Sequence, residues 1–156
     1  MSYPVPPDEL ARFGNMGREM SGLTVLFHSR IAEQMGVSAT DYKCLDIVMR
    51  VEGELTAGQI AKMSGLSTGA VTGVIDRLEK RGFVRRVRDP HDRRKVLVEV
   101  TRFDEAKYDR LFAHLATGMA DVLANYSPAE RQVIERYQRE LIDRFRRDAF
   151  TELESS

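Results

Sequence analysis

The apolar period of the chain changes at one glycine, Gly82. Ahead of it, Val71, Val74, Ile75 and Leu78 recur every three or four residues, the stripe of an amphipathic helix from about Ser67 to Arg81 that Gly82 would cap. Behind it, FVRRVR (83–88) and KVLVEVT (95–101) are rich in β-branched residues and predict two strands joined by the turn DPHDRR. The residues before the helix narrow the choice of fold further. Thr56 and Gln59 form a capping box for a short helix with Ile60 and Met63 apolar, and Ser64-Gly65-Leu66-Ser67 is a tight turn. Two helices joined by a short glycine turn are a helix-turn-helix, whose second helix can enter a major groove, and a charged hairpin directly after it makes a winged helix.

The flanks are helical and more apolar than a single small domain requires. After a Pro-rich lead (Tyr3 to Pro7), Asp8 can cap a long helix in which Phe13, Met16, Met20, Leu23, Phe27 and Ile31 lie close to heptad spacing, with Gly36 ending it. Ser38 with Asp41 resembles a capping box for a second helix, carrying Leu45, Val48 and Val51 inward, and Glu52-Gly53-Glu54 breaks it. Beyond the hairpin, one helix is expected from about Phe103 to Ala124, aligning Leu111, Leu115, Met119 and Val122. Another opens at Ser127, Pro128 and Glu130 with Ile134, Tyr137, Leu141 and Phe145 as its stripe. The expected fold is mainly α (α+β): a winged helix-turn-helix over 38–101 with a two-stranded β-wing, plus a helical region from 8–35 and 103–152.

Charge indicates what the hairpin meets. The 156 residues carry 24 basic and 24 acidic side chains, yet between Arg77 and Arg102 there are ten Lys/Arg against four Asp/Glu, a local excess of +6. One basic face in a neutral chain suits a polyanion, although a solvated face laced with ion pairs is the commoner meaning of a charge run. Arg93 and Arg94 at the turn can reach a narrow, electronegative minor groove or its phosphates, while Asp89 or Asp92 pairs with neighbouring arginines and aims them. On the helix, Thr68, Thr72 and Asp76 share a line, with Gly69 and Gly73 beside them. An interior helical glycine costs roughly 1 kcal/mol relative to alanine, so two on the polar face suggest close approach to DNA. The hydroxyls of Ser67, Thr68 and Thr72 would then donate to phosphates or base edges. The competing view is that these glycines are tolerated and the threonines are caps.

The stretch LTAGQIAKMSGLSTGAVTGVIDRLEKRGFVRRVRDPHDRRKVLVEVT (55–101) resembles the MarR family of bacterial transcriptional regulators, through its IDRLEKRGFV-type helix end, its D-x-x-DRR wing and its V-x-V-T strand. The flanking helices fit that family's dimerisation region, so the resemblance covers nearly the whole chain. It implies a homodimeric DNA-binding repressor or activator on double-stranded DNA, often released by small phenolic or other aromatic acids, or by cysteine oxidation. It places Ser67, Thr68, Gly69, Thr72 and Gly73 on the recognition helix and matches Asp76-Arg77 to the family's DR pair. Arg77 either reaches a phosphate or joins a structural network with Asp92. Asp92, Arg93 and Arg94 match the wing tip, with Asp76 and Asp92 as orienting carboxylates; which arginine enters the groove stays open.

The family's usual effector pocket lies where the dimerisation helices meet the winged domain, and Phe27, His28, Tyr42, Asp46, Met49 and Arg50 are candidates to line it. The same residues read equally well as helix-interface and core positions. The redox-sensing branch carries its cysteine in the first long helix. Here Cys44 lies in the second, in YKCLDIV, and reads as a core residue. No HxxxH, CxxC or phosphate loop suggests an enzyme, and the arginines beside Asp89, His91 and Asp92 would repel a metal cation. No cofactor is expected. With neither a signal peptide nor a membrane-spanning run, the expectation is a cytoplasmic protein. A winged helix acting as a protein-interaction module without DNA is the alternative. It calls for an apolar wing face or an acidic recognition helix.

Overall fold

The computed structural model describes residues 3–51, 53–101 and 105–151 and divides the chain into two units, 1–104 and 105–156. The first contains α1 (Pro7–Met35), α2 (Ala39–Arg50), β1 (Leu55–Thr56), α3 (Ala57–Ser64), α4 (Thr68–Lys80), β2 (Val84–Arg88) and β3 (Val96–Val100). The second contains α5 (Glu105–Leu123) and α6 (Pro128–Thr151).

Local chemistry sets most of these boundaries. Helix α1 starts two residues earlier than a cap at Asp8 would give. Its N-cap is Pro6 with no side-chain cap, and Asp8 sits inside the first turn, where its carboxylate accepts from Arg12 Nη1 at 2.6 Å and faces the positive end of the helix dipole. Ser38 caps α2 by accepting from the Asp41 amide at 3.0 Å, and Thr56 and Gln59 form a complete capping box on α3. Gly65 ends α3 in the left-handed region. At the end of α4 the C-cap is Arg81, and Gly82 (φ +77°) stands one position further on. The Gly82 and Phe83 amides donate to the carbonyls of Glu79 and Leu78.

The sheet has three strands in the order β1-β3-β2, all antiparallel. The hairpin pairs Val84 with Val100 and Arg88 with Val96, and β1 adds Leu55 opposite Val98. That third strand was not expected. At two residues it has no period to read, and it owes its place to Leu55 burying beside Val98. The core lies under this sheet. Leu45 and Val48 of α2, Ile60 of α3, Val71, Val74, Ile75 and Leu78 of α4, and Val84 and Val98 of the hairpin are all nearly inaccessible. Ile31 and Ala32 bury the end of α1.

In contrast, the rest of the α1 seam is uncovered: Phe13, Met16, Met20 and Leu23 are between 47% and 66% exposed. Leu115, Met119 and Val122 of α5 and Tyr137 and Phe145 of α6 are exposed too, while Ile134 is half-buried. The predicted start of α5 at Phe103, the Leu111 side chain and residue 152 lie outside the described residues. Helix α6 opens as the sequence predicts. Glu130 accepts from the Ser127 amide at 2.8 Å and Ser127 Oγ accepts from the Glu130 amide at 3.3 Å.

Candidate nucleic-acid interface

Helix α4 turns its four large apolar side chains inward, and this fixes what faces out. Thr68, Gly69, Thr72, Asp76, Arg77 and Lys80 are exposed, and Gly73 is half-buried. Ser67, the N-cap, spends its hydroxyl on the Ala70 amide at 3.2 Å, and Thr72 Oγ1 donates to the Thr68 carbonyl at 3.0 Å. A Cβ on Gly69 would meet nothing within 4 Å, and one on Gly73 would meet only the tip of Arg77 at 3.5 Å. Nothing among the described residues therefore calls for these glycines, and the helix keeps a shallow, small-residue surface.

The wing turn is built differently from its sequence expectation. Asp89 Oδ1 accepts from the amides of His91 at 2.7 Å and Asp92 at 3.1 Å, and Asp92 Oδ1 accepts from the Arg94 amide at 3.1 Å. Both aspartates thus hold the turn's backbone rather than arginine side chains, because a tight turn leaves amides that need acceptors. The Asp89 carboxyl lies below its usual range, chiefly through the His91 amide. The nearest cation to Asp92 is Lys95, at 3.9 Å. Arg93 and Arg94 are exposed, and among the described residues neither has a side-chain partner.

Two arginines, in three ion pairs, fasten this surface to the unit. Arg86 of β2 reaches across to α4, with Nη2 2.5 Å from Asp76 and Nη1 2.5 Å from Glu79, while its amide donates to Glu79 at 2.9 Å. Asp76 therefore orients the wing strand, not the wing tip. That backbone bond, with the guanidinium, holds the Glu79 carboxyl below its usual range. Arg77 pairs with Asp41 of α2 and not with Asp92. Its Nε and Nη2 grip both carboxylate oxygens, the shortest contact being 2.6 Å. Sequence reasoning missed both Arg86 and Asp41. Strand alternation could have placed Arg85 and Arg86 on opposite faces, but Asp41 carries no signal beyond its cap position.

The candidate effector residues form two groups. Phe27 and His28 of α1 and Tyr42 of α2 form an aromatic cluster, Phe27 and His28 tilted at 46° with centroids 5.9 Å apart and His28 edge-on to Tyr42 at 5.5 Å. Asp46 and Arg50 make an ion pair at 2.8 Å along α2, and Met49 packs against the core. Cys44 is buried, and burial raises its thiol pKa, the opposite of what a reactive thiolate needs.

Residues 37–96 match the family model described as MarR family. The chain is 39% identical over 117 residues to the uncharacterized HTH-type transcriptional regulator YcgE of Bacillus subtilis, spanning 75% of each chain. It is 26% identical over 110 residues to the HTH-type transcriptional repressor YetL of the same species, covering 70% of this chain and 66% of that one. In fold it is similar to a MarR family protein from Bacillus stearothermophilus, with a TM-score of 0.71 at 23% identity over 91% of this chain and 99% of the other.

Proposed function

Since the chain belongs to the MarR family, whose members are transcriptional regulators and not enzymes, and since its winged helix is therefore a DNA-binding one, we propose that it is a homodimeric repressor acting on a pseudo-palindromic operator. In this reading residues 38–101 are the DNA-binding domain, and 8–35 with 103–152 form the dimerisation region. Ser67, Thr68, Gly69, Thr72 and Gly73 enter a major groove, and Arg93 or Arg94 enters the flanking minor groove or binds its phosphates. Arg77 acts from behind this surface through Asp41, with Asp76 and Asp92 as orienting carboxylates. The protein works in the cytoplasm; no helix among the described residues is long and apolar enough to cross a membrane.

The observation that carries this reading is the wing turn. Two aspartates are consumed in fixing its backbone, while its two arginines stand exposed without acidic partners. A merely solvated hairpin has no need of that division. Removing both arginines (R93A/R94A) tests it directly. Each phosphate contact adds roughly −0.9 to the slope of log K against log salt. With two wings per dimer, duplex affinity should fall and the slope should flatten by at least about two units while melting stays at wild type. Unchanged affinity and slope would remove the main support and favour a protein-interaction module.

Release by a small aromatic or amphipathic anion is the regulatory part of the proposal, with Phe27, His28, Tyr42, Asp46, Met49 and Arg50 lining its site. The aromatic cluster of Phe27, His28 and Tyr42 across α1 and α2 supports it. Such a ligand acts only by binding the DNA-incompetent form more tightly. Screening should yield a compound that both raises thermal stability and lowers duplex affinity; no such compound would leave a ligand-independent regulator.

A further inference from the structure

A cleft of about 340 Å³ opens where the turn between α1 and α2 meets the C-terminal end of α4, and none of Phe27, His28 and Tyr42 lines it. It is lined by residues 36–38, Asp41, Arg77, Lys80 and Arg81. Three cations face one carboxylate, and that carboxylate is already engaged, since both oxygens of Asp41 sit in the Arg77 fork. Lys80 and Arg81 are exposed neighbours, and neither has an acidic partner among the described residues. With the Asp41 charge balanced by Arg77, Lys80 and Arg81 leave the cleft with a net positive charge.

The Arg81 guanidinium lies beside the turn at Gly36. Gly36 adopts φ +70°, and a Cβ there would stand 3.0 Å from Arg81 Nη1. The left-handed backbone at the end of α1 already favours glycine here, and the missing Cβ also leaves room for the guanidinium tip beside the turn. Helix α2, of 12 residues, begins at the same spot with Ser38 as its N-cap; its positive dipole end is opposed by the negative ends of α1 and α4, so the positive field of the cleft comes from the basic side chains. Val37 and the aliphatic stems of the cations supply an apolar wall. The volume falls at the small end of ligand sites, which start at roughly 300 Å³.

We propose that this cleft is an oxyanion site, taking a phosphate or carboxylate group through Lys80, Arg81 and the start of α2. The group is carried either by a free small anion or by the DNA backbone, and the DNA source rests on the winged-helix reading above. The two sources separate in one experiment on the full chain, using inorganic phosphate and a DNA duplex as probes, with K80A/R81A set against wild type and R93A/R94A.

At constant ionic strength, phosphate at about tenfold over its Kd should raise the wild-type Tm by roughly 4 °C. R93A/R94A should respond alike and K80A/R81A not at all. If the occupant is the backbone, K80A/R81A should instead weaken duplex binding and flatten the salt slope by about one unit for each phosphate it no longer neutralises. Either result supports the site. If the alanine variant melts early in chloride, K80Q/R81Q keeps the stems and removes the charges. An equal phosphate shift in all variants, or no shift with an unaltered slope, overturns the proposal. Should only R93A/R94A leave duplex binding unchanged, the wing reading falls and the phosphate result still decides this site.

Discussion

Asp41 shows how far one residue's role can lie from its sequence signal. Three positions after Ser38 it reads as half of a capping box, and Ser38 does accept from its amide. Its carboxylate, however, is buried and holds Arg77 from 36 residues away, a pairing that no local pattern announces. Burial pushes the carboxyl pKa up, but hydrogen bonds from Arg77 and Ser38 and the charge of Arg77 outweigh this and leave it lowered. A carboxylate whose folded pKa lies below its unfolded value stabilises the fold above the unfolded pKa, and that contribution is lost as pH falls through the folded one. Asp89 and Glu79 are shifted the same way, so melting followed from pH 6 downward should drop below about pH 4. In Asp41→Asn that drop should be shallower. The substitution should also cost about 1–2 kcal/mol near neutrality, less than a fully buried pair would, because the Arg77 side chain is 56% exposed. Chemical denaturation of the two proteins across pH measures both effects. A variant as stable as wild type at pH 7 would mean that solvent replaces the pair.

Elements were legible where periodicity or capping writes them out, and less so where a partner decides. The α4 stripe, the Thr56–Gln59 box and the Ser127–Glu130 box all appear in the structure as the sequence predicts. The strand β1 does not follow from two residues, and the start of α1 at Pro7 follows proline geometry rather than the nearby aspartate. How the wing is attached was the least legible feature, because Arg86 looks like any member of a basic run. It is half-buried and pinned between Asp76 and Glu79, so it ties β2 to α4 as one piece. Arg86→Met keeps most of the stem and breaks both pairs. It should lower stability by about 0.5–1.5 kcal/mol, since the acids are partly exposed. Amide exchange across β2 and β3 should rise more than exchange in α2. Duplex affinity should fall while the salt slope stays within about half a unit of wild type, because Arg86 orients the wing and contacts no phosphate itself. A slope change as large as that of R93A/R94A would make Arg86 a DNA contact and refute the positioning role.

For the whole molecule, the decisive quantity is apolar surface left over. One buried cluster serves the winged unit, yet Met16, Met20 and Leu23 of α1, Met119 and Val122 of α5, and Phe145 of α6 are each more than half exposed. An apolar side chain gains about 1.5–3 kcal/mol when it is fully covered, so leaving six of them in water forfeits far more than a surface ion pair returns. A second copy of the chain, bringing the same seams, is the cover we propose, and sedimentation at micromolar concentration should show a dimer. Met20→Glu on the α1 seam should shift it towards monomer without unfolding residues 38–101, whose core lies elsewhere. A two-fold dimer then dictates the DNA. Two copies of α4 related by a dyad can lie in successive major grooves only if the half-sites are about 10 bp apart, one helical turn, and inverted in sequence. Footprinting on sites selected from random duplexes should therefore return a pseudo-palindrome. Inserting about half a turn, 5 bp, between the half-sites should abolish the tight complex, because it sends the second recognition helix to the opposite face of the duplex. Met20→Glu should bind single and paired half-sites alike, at the weak affinity of one winged helix. If wild-type protein holds an isolated half-site as tightly as the pair, α4 works without the dyad, and the apolar seams serve some other contact.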